Sequence, residues 1–404
     1  MEIISSLYPF ILDWLDLVVR WIHIVVGIAW IGTSFYFNWL DSRLDREVNN
    51  EKIDGELWSV HSGGFYHINK LKGPPTKFPK ELHWFKWEAY STWISGFALL
   101  IIVYYLNAET MMIDKQINEI NIFTAIIISI TFLIGSWLIY DYLCKSSLIN
   151  NKILFSILCF SLATIASYSL TKIFGSRAAY IHVGACIGTI MAANVFYVII
   201  PSQKNMVNAA LANKEPDLKK GLAAKTRSIH NNYLTLPVLF IMISSHFPFT
   251  YGHKYNWLIL AIISIIGASV RHYFNLRNQK KYNVWILPTA AFGMICLMLY
   301  VSLPKINTNI DQDNLELISF NEVNNIIQYR CGVCHAQKPT FEGFEDAPKG
   351  VVFDTPEDIL NNLSTIKAQS IDSDIMPPGN ITGMTETERN KLKIWIESGA
   401  SINN

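Results

Sequence analysis

Charged side chains are scarce in this sequence: Asp, Glu, Lys and Arg make up 16% of the 404 residues and balance to a net charge of +1. An ordinary soluble domain carries about 25% charged residues, so the scarcity argues against one. The balance argues against nucleic acid as a partner, because a phosphate backbone calls for a basic surface. Cysteine is sparse as well. Of the six, Cys144, Cys159, Cys186 and Cys296 stand singly in apolar stretches, which excludes a disulfide framework and leaves Cys331 and Cys334 as the one patterned pair. The amino end, "MEIISSLYPFILDWLDLVV", lacks a basic leader and a small-residue cleavage site, so the first apolar segment is expected to act as its own insertion signal.

What is abundant is apolar and aromatic: 51% hydrophobic residues, with 12 Trp and 18 Tyr. Rings of that kind, an apolar body with one polar atom, suit the two faces of a bilayer. Crossing the hydrocarbon core takes about 20 mostly apolar residues, and eight stretches qualify: 17–40, 91–106, 122–140, 153–171, 178–200, 229–247, 256–274 and 284–303. Pro237 and Pro288 fall inside the sixth and eighth, which a membrane tolerates because neighbouring groups satisfy the freed carbonyls. Lys and Arg number 19 in the connections 41–90, 141–152, 201–228 and 275–283, against 4 in the amino end and the connections 107–121, 172–177 and 248–255. Positive charge marks the cytoplasmic side, so both termini are expected outside.

The expected fold is therefore all-α: a polytopic membrane bundle of about eight helices over residues 1–303, a polar linker over 304–318, and a small domain over 319–404. A domain that small buries little surface unaided. "CGVCH" at 331–335 supplies a remedy, because C-x-x-C-H is the haem c attachment pattern. Cys331 and Cys334 would form the thioethers, and His335 would ligate the iron from below. The alternative, a zinc site, finds no second cysteine pair. For the distal ligand, "SDIMPPGNITGM" offers Met376 and Met384; Met376, whose loop two prolines fix, is the choice, and Met384 reads as packing before a helix. A His/Met iron has a raised potential and accepts electrons. Thr385 and Glu388 form a capping box at the start of the last helix, with Trp395 on its apolar face. The layout resembles small class I cytochrome c domains.

Ionisable residues within a membrane are functional suspects, because burying them is costly. His23, His182 and His246 fall at one depth near the outer face. Small residues accompany the first two, Gly27 beside His23 and Cys186 and Thr189 beside His182, and such notches admit a flat macrocycle. One reading is haem b held by a histidine pair, His23 with His182 first; the other is hydrogen bonding between helices. On the cytoplasmic side, the connection 41–90 is rich in aromatics and histidine. With Arg227, His230, Asn231, Asn232 and Arg271 it would suit a flat, anionic, polar ring. Glu88, between Trp87 and Tyr90, is a candidate base. The alternative is an interface belt with snorkelling basic residues.

The strings "RWIHIVVGIAWIGTSFYFNWLD", "HSGGFYHINK", "LHWFKWEAYSTWISGF", "HNNYLTLPVLFIMIS" and "CGVCH…MPPGN" together resemble the bacterial membrane-bound urate oxidases, or urate hydroxylases, that carry a carboxyl-terminal cytochrome c. The resemblance implies oxidation of urate with water to 5-hydroxyisourate, with the electrons leaving through haem c to a soluble or membrane-bound respiratory acceptor. It also implies residence in the bacterial cytoplasmic membrane with the cytochrome domain periplasmic. Two other readings stay open: a cytochrome subunit fed by quinol or a partner dehydrogenase, and a haem-containing membrane sensor or transporter.

Overall fold

A computed structural model describes residues 2–75, 77–302, 318–341, 346–373 and 375–402, with side chains from residue 11 onward. The chain is mostly helical. Helices or helical runs overlie each of the eight apolar stretches: α1 (Glu2–Arg43), α2 (Trp87–Leu99) prolonged by a π-helical turn (Leu100–Tyr105), α3 (Ile122–Lys145), α4 (Lys152–Leu170), α5 (Ser176–Ala193) running through a π-helical turn (Asn194–Ile199) into α6 (Ile200–Leu211), α7 (Leu218–Ser244), α8 (Asn256–Asn278) and α9 (Ile286–Ser302). Among the described residues, five helices are long and apolar enough to cross a membrane: Ile11–Arg43, α3, α4, Ser176–Leu211 and α8. The other three fall short for physical reasons. The run from α2 carries Glu88, Ser91, Thr92 and Ser95 in its first half, α7 opens on Lys219, Lys220, Lys225 and Arg227, and the described part of α9 has 17 residues.

Local chemistry sets the helix starts. The Asn121 side chain accepts from the Thr124 N–H at 2.8 Å, the Asn151 side chain from the Leu154 N–H at 3.1 Å, and the Asp217 side chain from two N–H groups, each satisfying donors that a helix start leaves unpaired. In the bundle α1 packs on α2, α3 on α5, α5 on α7, α7 on α8 and α8 on α9. Tyr104, Leu133, Leu170, Tyr180, Val183, Ile241 and Leu260 form its main core.

The expectation of an all-α chain needs correction. Residues in the first connection form an antiparallel hairpin, β1 (Ile53–His61) and β2 (Gly64–Leu71). Ser62 and Gly63 both take positive φ, 49° and 77°, as the tight two-residue turn that matches strand twist requires. Trp58 stacks on His67 across the ladder at 4.1 Å, and His67 lies 2.9 Å from Glu56. Lys70 pairs with Asp41 and anchors the hairpin to the end of α1. Trp58 and Phe65 point outward, 63% and 82% exposed, so these rings are not gathered into a pocket with the helices.

Apart from Ile318, the expected linker lies outside the described residues. Beyond it, α10 (Phe320–Ile327) and α11 (Glu386–Glu397) pack together with their rings in contact, Phe320 to Trp395 at 5.8 Å. The Thr385–Glu388 capping box is formed, and Arg330 pairs with Glu388 at 3.0 Å. This carboxyl-terminal unit sits on the connections 107–121 and 248–255. Gln116 Nε2 donates to Met384 O at 2.9 Å, Ile375 packs against the main bundle core, and the helical turn Pro248–Tyr251 touches Lys367–Ile371. At Gly379, which has a φ of 56°, a Cβ would lie 2.4 Å from Ile113 O. Only glycine permits that approach.

Candidate functional site

Two polar clusters lie toward the end of the bundle where α1, α3 and α8 finish, and they divide the residues that the sequence grouped together. In the first, Arg227 of α7 is 4% exposed and pairs with Asp141 of α3 at 2.7 Å. Its Nη1 donates to Asn194 Oδ1 at 3.0 Å, and its guanidinium lies over the Tyr140 ring at 4.9 Å. Asn194 Nδ2 donates to Asn231 Oδ1 at 2.8 Å, Asn231 Nδ2 donates to Met191 O at 2.9 Å, and the Tyr140 hydroxyl bonds His230 Nδ1 at 2.7 Å. Arg227, His230 and Asn231 are thus joined indirectly, through Asp141, Asn194 and Tyr140. Beside this network, Trp137, Asp141, Lys145, Tyr197 and Lys220 line a cavity of about 460 Å³.

The second cluster is different because its hydrogen bonds are incomplete. Asn232 Oδ1 accepts from Arg271 Nε and from Asn275 Nδ2, each at 2.9 Å. Arg271 lies 3.8 Å over the Phe35 ring of α1. All three polar residues are buried, yet Arg271 Nη2, Asn232 Nδ2 and Asn275 Oδ1 have no partner. A buried polar atom without a partner costs about 1–3 kcal/mol, so two donors and an acceptor in one cluster carry a hydrogen-bonding demand that the protein leaves unmet. Glu88, on α2, has one carboxylate oxygen 4.0 Å from His83 Nε2 and the other buried without a partner. Arg271 therefore belongs to a separate cluster from Arg227.

Sequence reasoning missed Asp141, Asn194, Asn275 and Phe35. Asn275 had a signal, since it stands four residues after Arg271 and so shares its face. Asp141, at an apolar helix's end, had one as well.

Toward the opposite end, α1, α2, α3, α5 and α7 enclose an apolar cavity of about 310 Å³ whose wall includes His23, His246, Arg20 and Arg177. His23 comes from α1, and His246 follows the end of α7. His182 is fully buried on α5 but is not among the residues lining this cavity; its Nδ1 donates to Ala178 O at 2.7 Å, and its Nε2 has no partner. Phe174 lies 4.8 Å and Tyr104 5.9 Å from the His182 ring.

In the carboxyl-terminal unit, Cys331 lies in the π-helical turn Gln328–Gly332, Cys334 and His335 follow it, and His335 N–H donates to Cys331 O at 2.9 Å. Neither cysteine is in a disulfide; burial pushes Cys331 up to about 12 and raises Cys334 as well. His335 Nδ1 lies 2.9 Å from Val351 O. A carbonyl only accepts, so Nδ1 holds the proton and Nε2 is left with its lone pair. That is the tautomer an iron ligand needs, and this donor set fits a c-type haem. Among the described residues no group of three or more His, Cys, Asp or Glu could hold a metal ion. Met376 is half-buried, its N–H donating to Gln369 O at 2.8 Å and its carbonyl accepting from Arg389 Nη1 at 2.9 Å. Met384 is fully buried in the core with Cys331 and Trp395.

Residues 9–302 match the family described as urate oxidase N-terminal. No curated protein and no solved structure matches the chain.

Proposed function

The chain belongs to the urate oxidase N-terminal family, and from that premise we propose that it oxidises urate in the bacterial cytoplasmic membrane: urate and water give 5-hydroxyisourate, two protons and two electrons. The reading includes eight membrane crossings and a periplasmic carboxyl-terminal unit. The observation that carries it is the open cluster of Arg271, Asn232 and Asn275 beside Phe35. Urate is flat and anionic, with carbonyl oxygens and N–H groups around its edge. Arg271 Nη2 and Asn232 Nδ2 would donate to its oxygens, Asn275 Oδ1 would accept from a ring N–H, and Phe35 holds the guanidinium plane beneath them. Glu88, with a buried unpartnered oxygen, is proposed as the base that takes a proton from urate or the attacking water. The Arg227 network, with its hydrogen bonds already made, keeps α3, α5 and α7 in register behind the site.

Cys331, Cys334, His335 and Met376 would hold haem c, which would supply a one-electron acceptor. His335 is held for that role by Val351 O, and the loop around Met376 is braced by Arg389 and by the contact of Gly379 with Ile113. The final acceptor is a respiratory carrier outside the chain. Purified protein given urate without oxygen is expected to show a reduced c-type spectrum, and with oxygen to release no hydrogen peroxide. Peroxide formed one for one with urate would overturn the proposed acceptor.

A further inference from the structure

The cavity between α1, α2, α5 and α7 is not used by the urate reading, and its wall has a specific chemistry. His23 Nδ1 lies 3.0 Å from Ser95 Oγ, while Ser95 Oγ donates its single proton to Ser91 O at 2.6 Å. Ser95 therefore accepts from His23 Nδ1–H, and the Thr92 backbone also bonds this ring. Ligating histidines show this same arrangement, the second nitrogen tied down by an oxygen. The ring is seated against Gly96, where a Cβ would come within 2.9 Å of it. His246 lines the same cavity from just beyond the end of α7, and among the described residues no hydrogen bond holds its imidazole.

The remaining wall is mostly apolar, with Thr92, Thr189, Tyr104 and Ser245 as neutral polar groups and two arginines as the cations. Arg177 borders the cavity with its Nε buried and unpartnered, and Arg20 borders it with one nitrogen, Nη2, ion-paired to both oxygens of Asp16. A Cβ added at Gly27 or Gly188 would meet nothing within 4 Å, so those faces are open to a flat body. Two imidazoles, two guanidiniums and open glycine faces match a tetrapyrrole iron with two carboxylates. A quinone would use neither the second histidine nor the paired cations.

We propose that this cavity is a haem b site in which His23 and His246 ligate the iron and Arg177 and Arg20 hold the propionates. The pairing differs from His23 with His182, because His182 does not line the cavity. The assignment goes beyond the urate reading and does not depend on it. The site adjoins the carboxyl-terminal unit, since His246 lies two residues before the turn Pro248–Tyr251 that touches Lys367–Ile371.

The test is a pyridine haemochrome of the full-length protein, which counts b-type and c-type haem separately. The wild type is expected to hold about one b-type haem per chain. His23→Ala, His246→Ala and the cavity-filling Gly188→Phe are each expected to lose it while keeping covalent haem c and an unchanged elution volume. His182→Ala is expected to keep it. Absence of b-type haem from the wild type, including a quinone extracted in its place, overturns the site. Loss in His182→Ala with retention in His246→Ala overturns the ligand pair.

Discussion

Replacing Arg271 by Gln tests the proposed urate site most directly. The substitution removes the cation and its open Nη2 but keeps an amide able to reach Asn232, whose Oδ1 now accepts from Arg271 Nε at 2.9 Å. A hydrogen bond to a charged group contributes about 1.5–3 kcal/mol, and a tenfold change corresponds to about 1.4 kcal/mol. If Nη2 holds the urate anion, kcat/KM should fall about 10- to 150-fold. If the contact is made equally in the ground and transition states, the fall should appear in KM with kcat little changed. Arg271→Lys keeps charge without the planar fork and should fall between the two. The assay is the initial rate of haem c reduction against urate concentration, with haem c content and melting temperature as controls for folding. A kcat/KM within about threefold of wild type in a folded Arg271→Gln protein would refute the site.

Three further outcomes follow from other parts of the molecule. Arg227 is 4% exposed, so Asp141→Asn strands a buried cation and should cost about 3–5 kcal/mol, read as a lower melting temperature in detergent; an unchanged melt would show that the pair adds nothing. In the carboxyl-terminal unit, burial raises the Glu388 carboxyl, but the Thr385 N–H, its hydroxyl and Arg330 outweigh it and hold the group below its ordinary value of 4.5. A depressed folded pKa means stability that is present above the ordinary value and lost as pH falls through the depressed one. Glu388→Gln should therefore lower the stability of the unit at pH 7 and flatten its acid transition below pH 4.5, as followed by circular dichroism. Met384→Ala, at a fully buried position, should cost about 2–5 kcal/mol, whereas Met376→Ala should chiefly lower the haem c potential; a potential that falls in Met384→Ala alone would move the distal ligand to Met384.

The helices were legible because apolar runs of membrane length leave few other structures open, and the capping box of α11 because its two residues stand three apart. The hairpin was not read, although "WSVHSGGFYHI" carries both alternation and a Ser-Gly turn, because aromatics and histidines in a long connection suggested a binding surface instead. In the site, Arg227, His230, Asn231 and Arg271 drew notice as polar groups in apolar helices. Their division into a closed network and an open cluster was hidden, because it depends on which helices become neighbours. Arg227 meets α3 through Asp141, whereas Arg271 meets α1 through Phe35. For the same reason, depth along the helices placed His23, His182 and His246 together, but the direction each ring faces separates His182 from the cavity.

These positions set a distance that the chain has to bridge. Phe35 is twelve residues from His23 along α1, and Asn232 is twelve from Ser244, where α7 ends just before His246, so at 1.5 Å per residue the Arg271 cluster and the histidines stand about 18 Å apart. The carboxyl-terminal unit docks at the histidine end, on the connections 107–121 and 248–255, the same connections in which Lys and Arg are few. If urate is oxidised at the Arg271 cluster, its electrons have to travel most of the bundle's length to reach Cys331 and Cys334. The cavity extends from His246 as far as Trp30, five residues or about 7.5 Å from Phe35 along α1. A macrocycle in that cavity would fill the middle of the path. A urate site among the histidines would leave the Arg271 cluster with three unpartnered buried atoms and no occupant, which is the stronger reason to place substrate and exit at opposite ends.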